Sequence, residues 1–161
     1  MSLTADTNYF EDFAVGQVLQ HARGKTMCEQ DNVGITLQVL NTADAHFDEN
    51  LMQHGGMAER GWNSRLQFGG VTISMVIGLT MQDTGENAIR ELKLDKIRLK
   101  APVFHGDTLY AFTEVLEVTS ADDNRGGIVK FRHTGINQKD EVVFEGERTT
   151  LIKKRGSSHD G

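Results

Sequence analysis

This 161-residue chain has few of the residues that crosslink or interrupt a polypeptide, with one cysteine and one proline. A single cysteine, Cys28, excludes an intrachain disulfide and a thiolate metal cluster, and it favours a reducing compartment. The simplest interpretation of Cys28 is a buried thiol. The histidines do not have the spacing of metal ligands, so no metal is expected. We therefore predict a cytoplasmic protein that needs neither a metal nor a separate cofactor.

Basic residues and long apolar runs are also scarce. Lysine and arginine number 17 against 23 aspartates and glutamates, and the resulting net charge of −6 comes from interspersed charges of both signs. Such a chain has no basic surface for a nucleic-acid backbone. No apolar run approaches the roughly 20 residues that span a bilayer, and the N-terminus lacks the pattern of a signal peptide. We expect neither a nucleic-acid partner nor a membrane segment.

The length and patterning predict one α+β domain over residues 9–153, between a flexible N-terminus at 1–8 and a flexible tail at 154–161. Residues 18–27 are predicted to form a first strand. A helix is predicted over 29–40, because Thr26 and Glu29 have the spacing of a capping box. Alternating apolar residues within 33–39 also fit a strand, so the periodicity of this segment is mixed.

The second half of the chain predicts a sheet that wraps around one helix. Residues 71–82 are apolar on most sides, which indicates a buried helix of about three turns. Strands are predicted from residue 88 onward, with a β-bulge at Asp95 and Lys96 because the apolar alternation slips there by one residue. The remaining predicted strands cover residues 109–118, 128–136 and 142–152.

Several segments resemble one known family. YFEDFAVGQVL at 9–19, GGVTISMVIGL at 69–79 and IRLKAPVFHGDTLYAFTEVLEV at 97–118 resemble the MaoC-like dehydratases, or R-specific enoyl-CoA hydratases, which have the hot-dog fold. CEQDN at 28–32 and NTADAHFDE at 41–49 are most similar to the subgroup around mesaconyl-CoA hydratase, also called β-methylmalyl-CoA dehydratase. The resemblance implies an antiparallel sheet wrapped around a central α-helix.

The loop at 41–46 carries the chemistry that this resemblance implies. Family members typically have Asp-x-Asn-Pro-x-His there, and their aspartate and histidine hold the water that adds to the substrate. This chain keeps the histidine as His46 but has Asn41 at the aspartate. Imidazole titrates near neutral pH, so His46 is predicted to be the catalytic base and acid. Asn41 is predicted to orient the water, and Asp44 and Asp48 are candidates for the missing acidic partner. Helix capping is the favoured role for Asp48.

The start of the central helix is predicted to bind the thioester. Unpaired amides at a helix N-terminus favour negative charge, and the resemblance places Gly69 at the glycine whose amide forms the oxyanion hole, followed by Gly70. Arg65 is the nearest basic residue to Gly69, and a guanidinium binds carboxylates bidentately. Arg65 is therefore a candidate for binding a substrate carboxylate.

The implied function is hydration of a short, branched, dicarboxylic 2-enoyl-CoA, or the reverse dehydration, with coenzyme A as part of the substrate. One alternative is a hot-dog thioesterase, although such enzymes generally need a carboxylate near or on the central helix and residues 71–82 contain none. Another is a non-catalytic dimer that binds acyl thioesters, motivated by Asn41. Pairing of exposed strand edges predicts a homodimer or a larger homo-oligomer.

Overall fold

A computed structural model describes residues 7–121 and 125–157. Within them, the strands are β1 (Val18–Gln20), β2 (Lys25–Thr26), β3 (Ala88–Leu99), β4 (Thr108–Ser120), β5 (Gly126–Ile136) and β6 (Val142–Lys153), and the helices are α1 (Ile35–Gln38), α2 (Glu49–His54) and α3 (Gly69–Thr84). The strands pair antiparallel in the order β1-β4-β5-β6-β3, with β2 beside β4. The predicted arrangement of an antiparallel sheet around one long helix is confirmed.

Helix α3 packs across the sheet and organises the core. Val71 and Val76 are fully buried among apolar side chains of β4 and β6. Thr72, Thr80 and Thr84 are buried on the same helix. Its remaining apolar side chains are only half-buried. Within the single chain the helix is therefore fully buried on one face only, whereas its sequence predicted burial on most sides.

The segment before α3 is less regular than predicted. Instead of one strand over 18–27, the chain forms the short strands β1 and β2. The predicted capping box is wrong, because Thr26 lies in β2 and its hydroxyl hydrogen-bonds to that of Thr108 at 2.8 Å. The Cys28 amide instead donates to Asp31 at 2.8 Å, and a π-helical turn at Gln30–Gly34 leads into the short helix α1. Cys28 is exposed, contrary to the prediction of a buried thiol.

Strand β3 has the predicted bulge and lies at the edge of the sheet. Its pairing with β6 shifts between Asp95 and Arg98, and Lys96 has a φ of 50° there. This places the irregularity where the apolar alternation slips. Five large apolar side chains of β3 are at least a third exposed, namely Ile89, Leu92, Leu94, Ile97 and Leu99.

The described residues extend the packed structure slightly beyond the predicted domain of 9–153. Asn8 is buried, and Arg155 forms an ion pair with Asp12 at 2.5 Å. The predicted flexibility of 1–8 and 154–161 falls largely on residues 1–6 and 158–161, which lie outside the described residues. In the part of the chain that is described, no helix has the length and apolarity needed to cross a bilayer.

A chain of buried hydrogen bonds crosses the sheet beside the far end of α3. His21 Nδ1 lies 2.5 Å from Asp83, His21 Nε2 lies 2.7 Å from the Thr113 hydroxyl, and that hydroxyl lies 2.8 Å from His133 Nδ1. His133 Nε2 is buried without a partner among the described residues. A bare lone pair is less costly than a bare N–H, which favours His133 Nδ1 as donor to Thr113 and Thr113 as donor to His21.

His133 is expected to make the fold sensitive to acid. Burial, with smaller contributions from Arg148 and His21, lowers the pKa of His133 to about 3. Between that value and the ordinary histidine pKa, the unfolded chain binds a proton that the folded chain excludes. The free energy of unfolding therefore falls as the pH falls from about 6.5 to 3, by up to about 1.4 kcal/mol per pH unit from this group.

Denaturant unfolding at pH 7, 6, 5 and 4 measures this contribution. We expect His133→Leu to lose stability less steeply with acid than the unsubstituted chain. His54→Leu is the matched control, because His54 is exposed. This variant should lose unfolding free energy with acid as steeply as the unsubstituted chain. Equal slopes for the His133 variant and the unsubstituted chain would contradict the assignment.

Candidate active site

His46 lies at the end of a 3₁₀ turn, Asp44–His46, with only 8% of its surface exposed. Asp48 caps α2 directly after this turn: its side chain accepts from the Leu51 amide at 2.9 Å, and its own amide donates to the Asp44 carbonyl at 2.8 Å. The capping role predicted for Asp48 is confirmed. The imidazole also packs edge-on against the Phe68 ring, with centroids 5.7 Å apart. Packing against Phe68 therefore restricts the position of the imidazole ring.

The tautomer of neutral His46 follows from its hydrogen bond. Nδ1 lies 2.7 Å from the Leu66 carbonyl oxygen, which can only accept. Nδ1 therefore carries the proton, and Nε2 presents a lone pair. Nε2 has no hydrogen-bond partner within the described residues. An imidazole in this state can accept a proton from a bound water.

The segment before α3 is fixed between the His46 loop and the connection from β3 to β4. The Leu66 amide donates to the Ala45 carbonyl, and the Gln67 amide donates to the Val103 carbonyl, both at 2.9 Å. Helix α3 then begins at Gly69, as predicted from the oxyanion glycine. The first amides of a helix have no partner within it, so the helix start presents N–H donors beside the histidine loop.

A cavity of about 330 Å³ joins the histidine to the helix start. One wall is largely apolar, and Gln67, Thr72 and Lys100 contribute polar groups. Such a mixture suits a small acyl group with one polar end. The lining residues are His46, Trp62, Leu66, Gln67, Gly69, Thr72, Leu99, Lys100, Ala101, Pro102 and Val103.

Of the predicted site residues, the cavity brings together His46 and Gly69. Asn41 is half-buried outside the lining, and its side-chain oxygen accepts a hydrogen bond from the Ala43 amide at 3.1 Å. Asp44 is exposed. Gly70 follows Gly69 in the first turn of α3 but does not line this cavity. The predicted roles of Asn41, Asp44 and Gly70 stay predictions.

Arg65 lines a separate, smaller cavity of about 130 Å³ next to the first. Its guanidinium forms ion pairs with Glu29 at 2.9 Å and Glu49 at 3.2 Å. Hydrogen bonds from Arg65 contribute to lowering the pKa of both carboxyl groups, so two negative charges face one positive charge. This arrangement does not favour a third carboxylate at Arg65.

The polar residues of the cavity wall were not predicted from the sequence. Gln67 and Thr72 are buried, and the Gln67 side-chain amide donates to the Thr72 hydroxyl at 3.2 Å. Their positions could have indicated them, since Gln67 lies two residues before the predicted oxyanion glycine and Thr72 three residues after it. Lys100 had no comparable signal, because it reaches the cavity from the end of β3.

Comparison with known proteins gives a consistent family. The mesaconyl-CoA hydratase family model matches residues 2–154. A mesaconyl-CoA hydratase from Haloarcula marismortui is 32% identical over 94% of this chain and 44% of the relative. A β-methylmalyl-CoA dehydratase from Chloroflexus aurantiacus is 33% identical over 92% of this chain and 41% of the relative. The chain thus spans less than half the length of these relatives.

Solved structures share the fold. A putative MaoC domain dehydratase from Chloroflexus aurantiacus matches all of this chain and 44% of its own, with a TM-score of 0.78 and 28% identity. A Mycobacterium tuberculosis protein described as a double hot-dog fold matches 95% of this chain and 46% of its own, with a TM-score of 0.72 and 22% identity. The predicted hot-dog fold is confirmed. With the family model covering nearly its whole length, this chain belongs to the mesaconyl-CoA hydratase family.

Proposed function

We propose that this protein catalyses the reversible addition of water to a 2-enoyl-CoA, giving a 3-hydroxyacyl-CoA. One observation carries the proposal: His46 lines the cavity beside Gly69, with Nδ1 bound to the Leu66 carbonyl and Nε2 free to accept a proton. Hydration needs a base for the water and hydrogen-bond donors for the thioester oxygen. The histidine and the helix start supply these two functions within one cavity.

In the hydration direction, His46 Nε2 takes a proton from water as the water oxygen bonds to C3 of the enoyl group. The C2–C3 double-bond electrons move toward the thioester, and negative charge develops on its oxygen. The same imidazolium then delivers its proton to C2, which restores neutral His46. The product has gained OH at C3 and H at C2, and the reverse steps give dehydration.

The Gly69 amide is proposed to stabilise the charge on the thioester oxygen. It lies at the start of α3, where the helix dipole and unpaired amides favour an anion. Because Gly69 has no side chain, an acyl group can approach the backbone there closely. No side-chain cap occupies this helix start.

The substrate is proposed to be a short, branched, dicarboxylic enoyl-CoA such as mesaconyl-CoA. The names of the relatives support this class. Lys100 is better suited than Arg65 to bind the free carboxylate. Lys100 lines the cavity and has only a loose pair with Glu145 at 3.6 Å, whereas Arg65 already serves two glutamates.

Turnover of mesaconyl-CoA and crotonyl-CoA, followed by loss of enoyl absorbance, tests the function and the substrate class together. We expect faster turnover of mesaconyl-CoA. Lys100→Met should lower kcat/KM for mesaconyl-CoA by about tenfold or more, as expected for a lost charge-assisted contact, and affect crotonyl-CoA much less. Arg65→Met is the comparator and should not change this preference. No turnover of either compound would refute the proposed activity.

The two alternative functions predict different results in the same assay. A thioesterase would release free coenzyme A and would need a carboxylate near the cavity. Asp83, the first acidic residue after the predicted helix at 71–82, lies at the far end of α3 and hydrogen-bonds to His21. A non-catalytic protein would bind enoyl-CoA without changing it. Thiol detection and equilibrium binding distinguish both from hydration.

We further propose that the chain acts in the cytoplasm as a homodimer formed along β3. The two relatives described above are more than twice as long as this chain, and β3 is an edge strand with five partly exposed apolar side chains. A second copy would cover this edge and the half-buried face of α3. Sedimentation equilibrium measures the assembly, and a monomer at micromolar concentration would contradict it. Cell fractionation tests the location.

A further inference from the structure

The buried side chain of Asn32 connects the two halves of the candidate active site. Asn32 lies in the π-helical turn before α1 and is 8% exposed. It sits in the segment at 28–32 that resembles the family. It does not line the main cavity, so a role in catalysis has to act through other groups.

All four hydrogen-bonding positions of the Asn32 amide are used. Its nitrogen donates to the His46 carbonyl at 3.4 Å and to the Leu66 carbonyl at 3.3 Å. Its oxygen accepts from the Phe68 amide at 2.9 Å and from the Thr36 hydroxyl at 3.3 Å. A side-chain amide has two donor hydrogens and two acceptor lone pairs, so Asn32 is fully satisfied.

These partners are the backbone groups that set the catalytic geometry. The Leu66 carbonyl also accepts from His46 Nδ1, and Phe68 directly precedes Gly69 at the start of α3. One rigid amide therefore holds the histidine backbone, the carbonyl that orients its ring and the residue before the oxyanion glycine. Aspartate has the same shape, but when ionised it cannot donate to the two carbonyls.

We propose that Asn32 is a positioning residue that fixes His46 relative to the Gly69 amide. The inference rests on the proposed hydratase function for its kinetic consequence, but its structural consequence is independent of any substrate. Loss of the Asn32 donors releases the His46 carbonyl and leaves the Leu66 carbonyl held only by the His46 ring. The imidazole then loses its fixed acceptor, while the apolar walls that bind the acyl group remain.

Kinetics of Asn32→Ala and Asn32→Asp at pH 8 form the first test. A displacement of about 1 Å can cost 10²-fold in rate, so we expect kcat to fall by about that factor with KM changed by less than about threefold. Asn137→Ala is the matched control. Asn137 is also buried and makes three side-chain hydrogen bonds, but in the β5–β6 turn. It should retain kcat despite a similar loss in Tm.

The ¹⁵N shifts of the His46 ring form the second test and need no substrate. Its signals are assigned by their absence in His46→Gln. In the unsubstituted chain at pH 8 they should report the Nδ1–H tautomer. In both Asn32 variants they should move toward the Nε2–H form that free histidine prefers, whereas Asn137→Ala should leave them unchanged.

The two tests separate failure of the inference from failure of the function. An unchanged His46 tautomer in the Asn32 variants, or equal kcat losses in Asn32→Ala and Asn137→Ala, would overturn the positioning role. If the unsubstituted chain hydrates no enoyl-CoA, the proposed function fails, and the tautomer shift alone decides whether Asn32 positions His46.

Discussion

Replacing His46 with alanine is expected to lower kcat for enoyl-CoA hydration by about 10³-fold or more. The imidazole is proposed to take the proton from water and to deliver it to carbon, and general acid–base groups typically contribute 10²–10⁴-fold. The Leu66 carbonyl loses its 2.7 Å donor in this variant but keeps that from Asn32. The fold should therefore persist. Stopped assays at high enzyme concentration measure the residual rate.

His54→Ala is the matched control for this prediction. His54 lies in α2, eight residues further along, and its exposed ring bonds to the Asn50 carbonyl at 3.1 Å. Its removal should leave kcat within about twofold, because it has no contact with the cavity. Activity in His46→Ala above a tenth of the original rate would refute the role of His46 as base and acid.

Adding one methyl group at Gly69 is expected to have the second largest effect. A Cβ at this position would overlap Leu99 Cδ1 at the cavity wall. It would also stand beside the amide that is proposed to bind the thioester oxygen. Loss of one oxyanion donor costs about 10²–10³-fold in kcat, and we expect Gly69→Ala to fall in that range. Steady-state kinetics with the preferred substrate measure it.

Helix α3 provides its own control at Gly78. A Cβ added there meets open space in the single chain. Gly78→Ala should keep activity and raise the free energy of unfolding by about 0.5–1 kcal/mol, since glycine is unfavourable inside a helix. Unaltered kcat in Gly69→Ala would contradict the assignment of the Gly69 amide.

A double variant separates the two causes of the Gly69 effect. Leu99 is 52% exposed, so Leu99→Ala removes the overlapping methyl group at modest cost. If the added methyl acts only by displacing Leu99, the double variant should recover the activity of Leu99→Ala. If it blocks the thioester oxygen, as we expect, the activity stays low.

The sequence predicted the parts of the fold that follow from local pattern. The apolar run at 71–82 gave the central helix, which extends by two residues at each end to Gly69–Thr84. The slip in alternation gave the bulge in β3 near Lys96. The segment before the central helix was harder to predict, because Thr26 has the spacing of a capping box with Glu29 but pairs with Thr108 of β4 in the folded chain. The hydrogen bond with Thr108 decided between them.

The candidate site could be predicted only in part from the sequence, for a similar reason. His46 and Gly69 stood out because their residue types and the family resemblance pointed to the same chemistry. Arg65 was selected for its closeness in sequence to Gly69, but in the folded chain its guanidinium is ion-paired with Glu29 and Glu49. Lys100 and Asn32 were missed because they are far from Gly69 in sequence and come close to the site only in the folded chain.

The sequence by itself determined the long strands and the central helix, because these depend on residue type and periodicity, which are local properties of the chain. Through the resemblance of whole segments, it also determined the family and pointed to His46 as the candidate histidine. Only the tertiary structure decided the tautomer of His46, the composition of the cavity wall and the part played by Asn32. The tautomer and the part played by Asn32 depend on hydrogen bonds between residues 14 to 36 positions apart, such as the bond from Asn32 to the His46 carbonyl and the bond from the Phe68 amide to Asn32. The cavity wall likewise combines segments that are distant in sequence. A pattern read along the chain contains no distance between such segments.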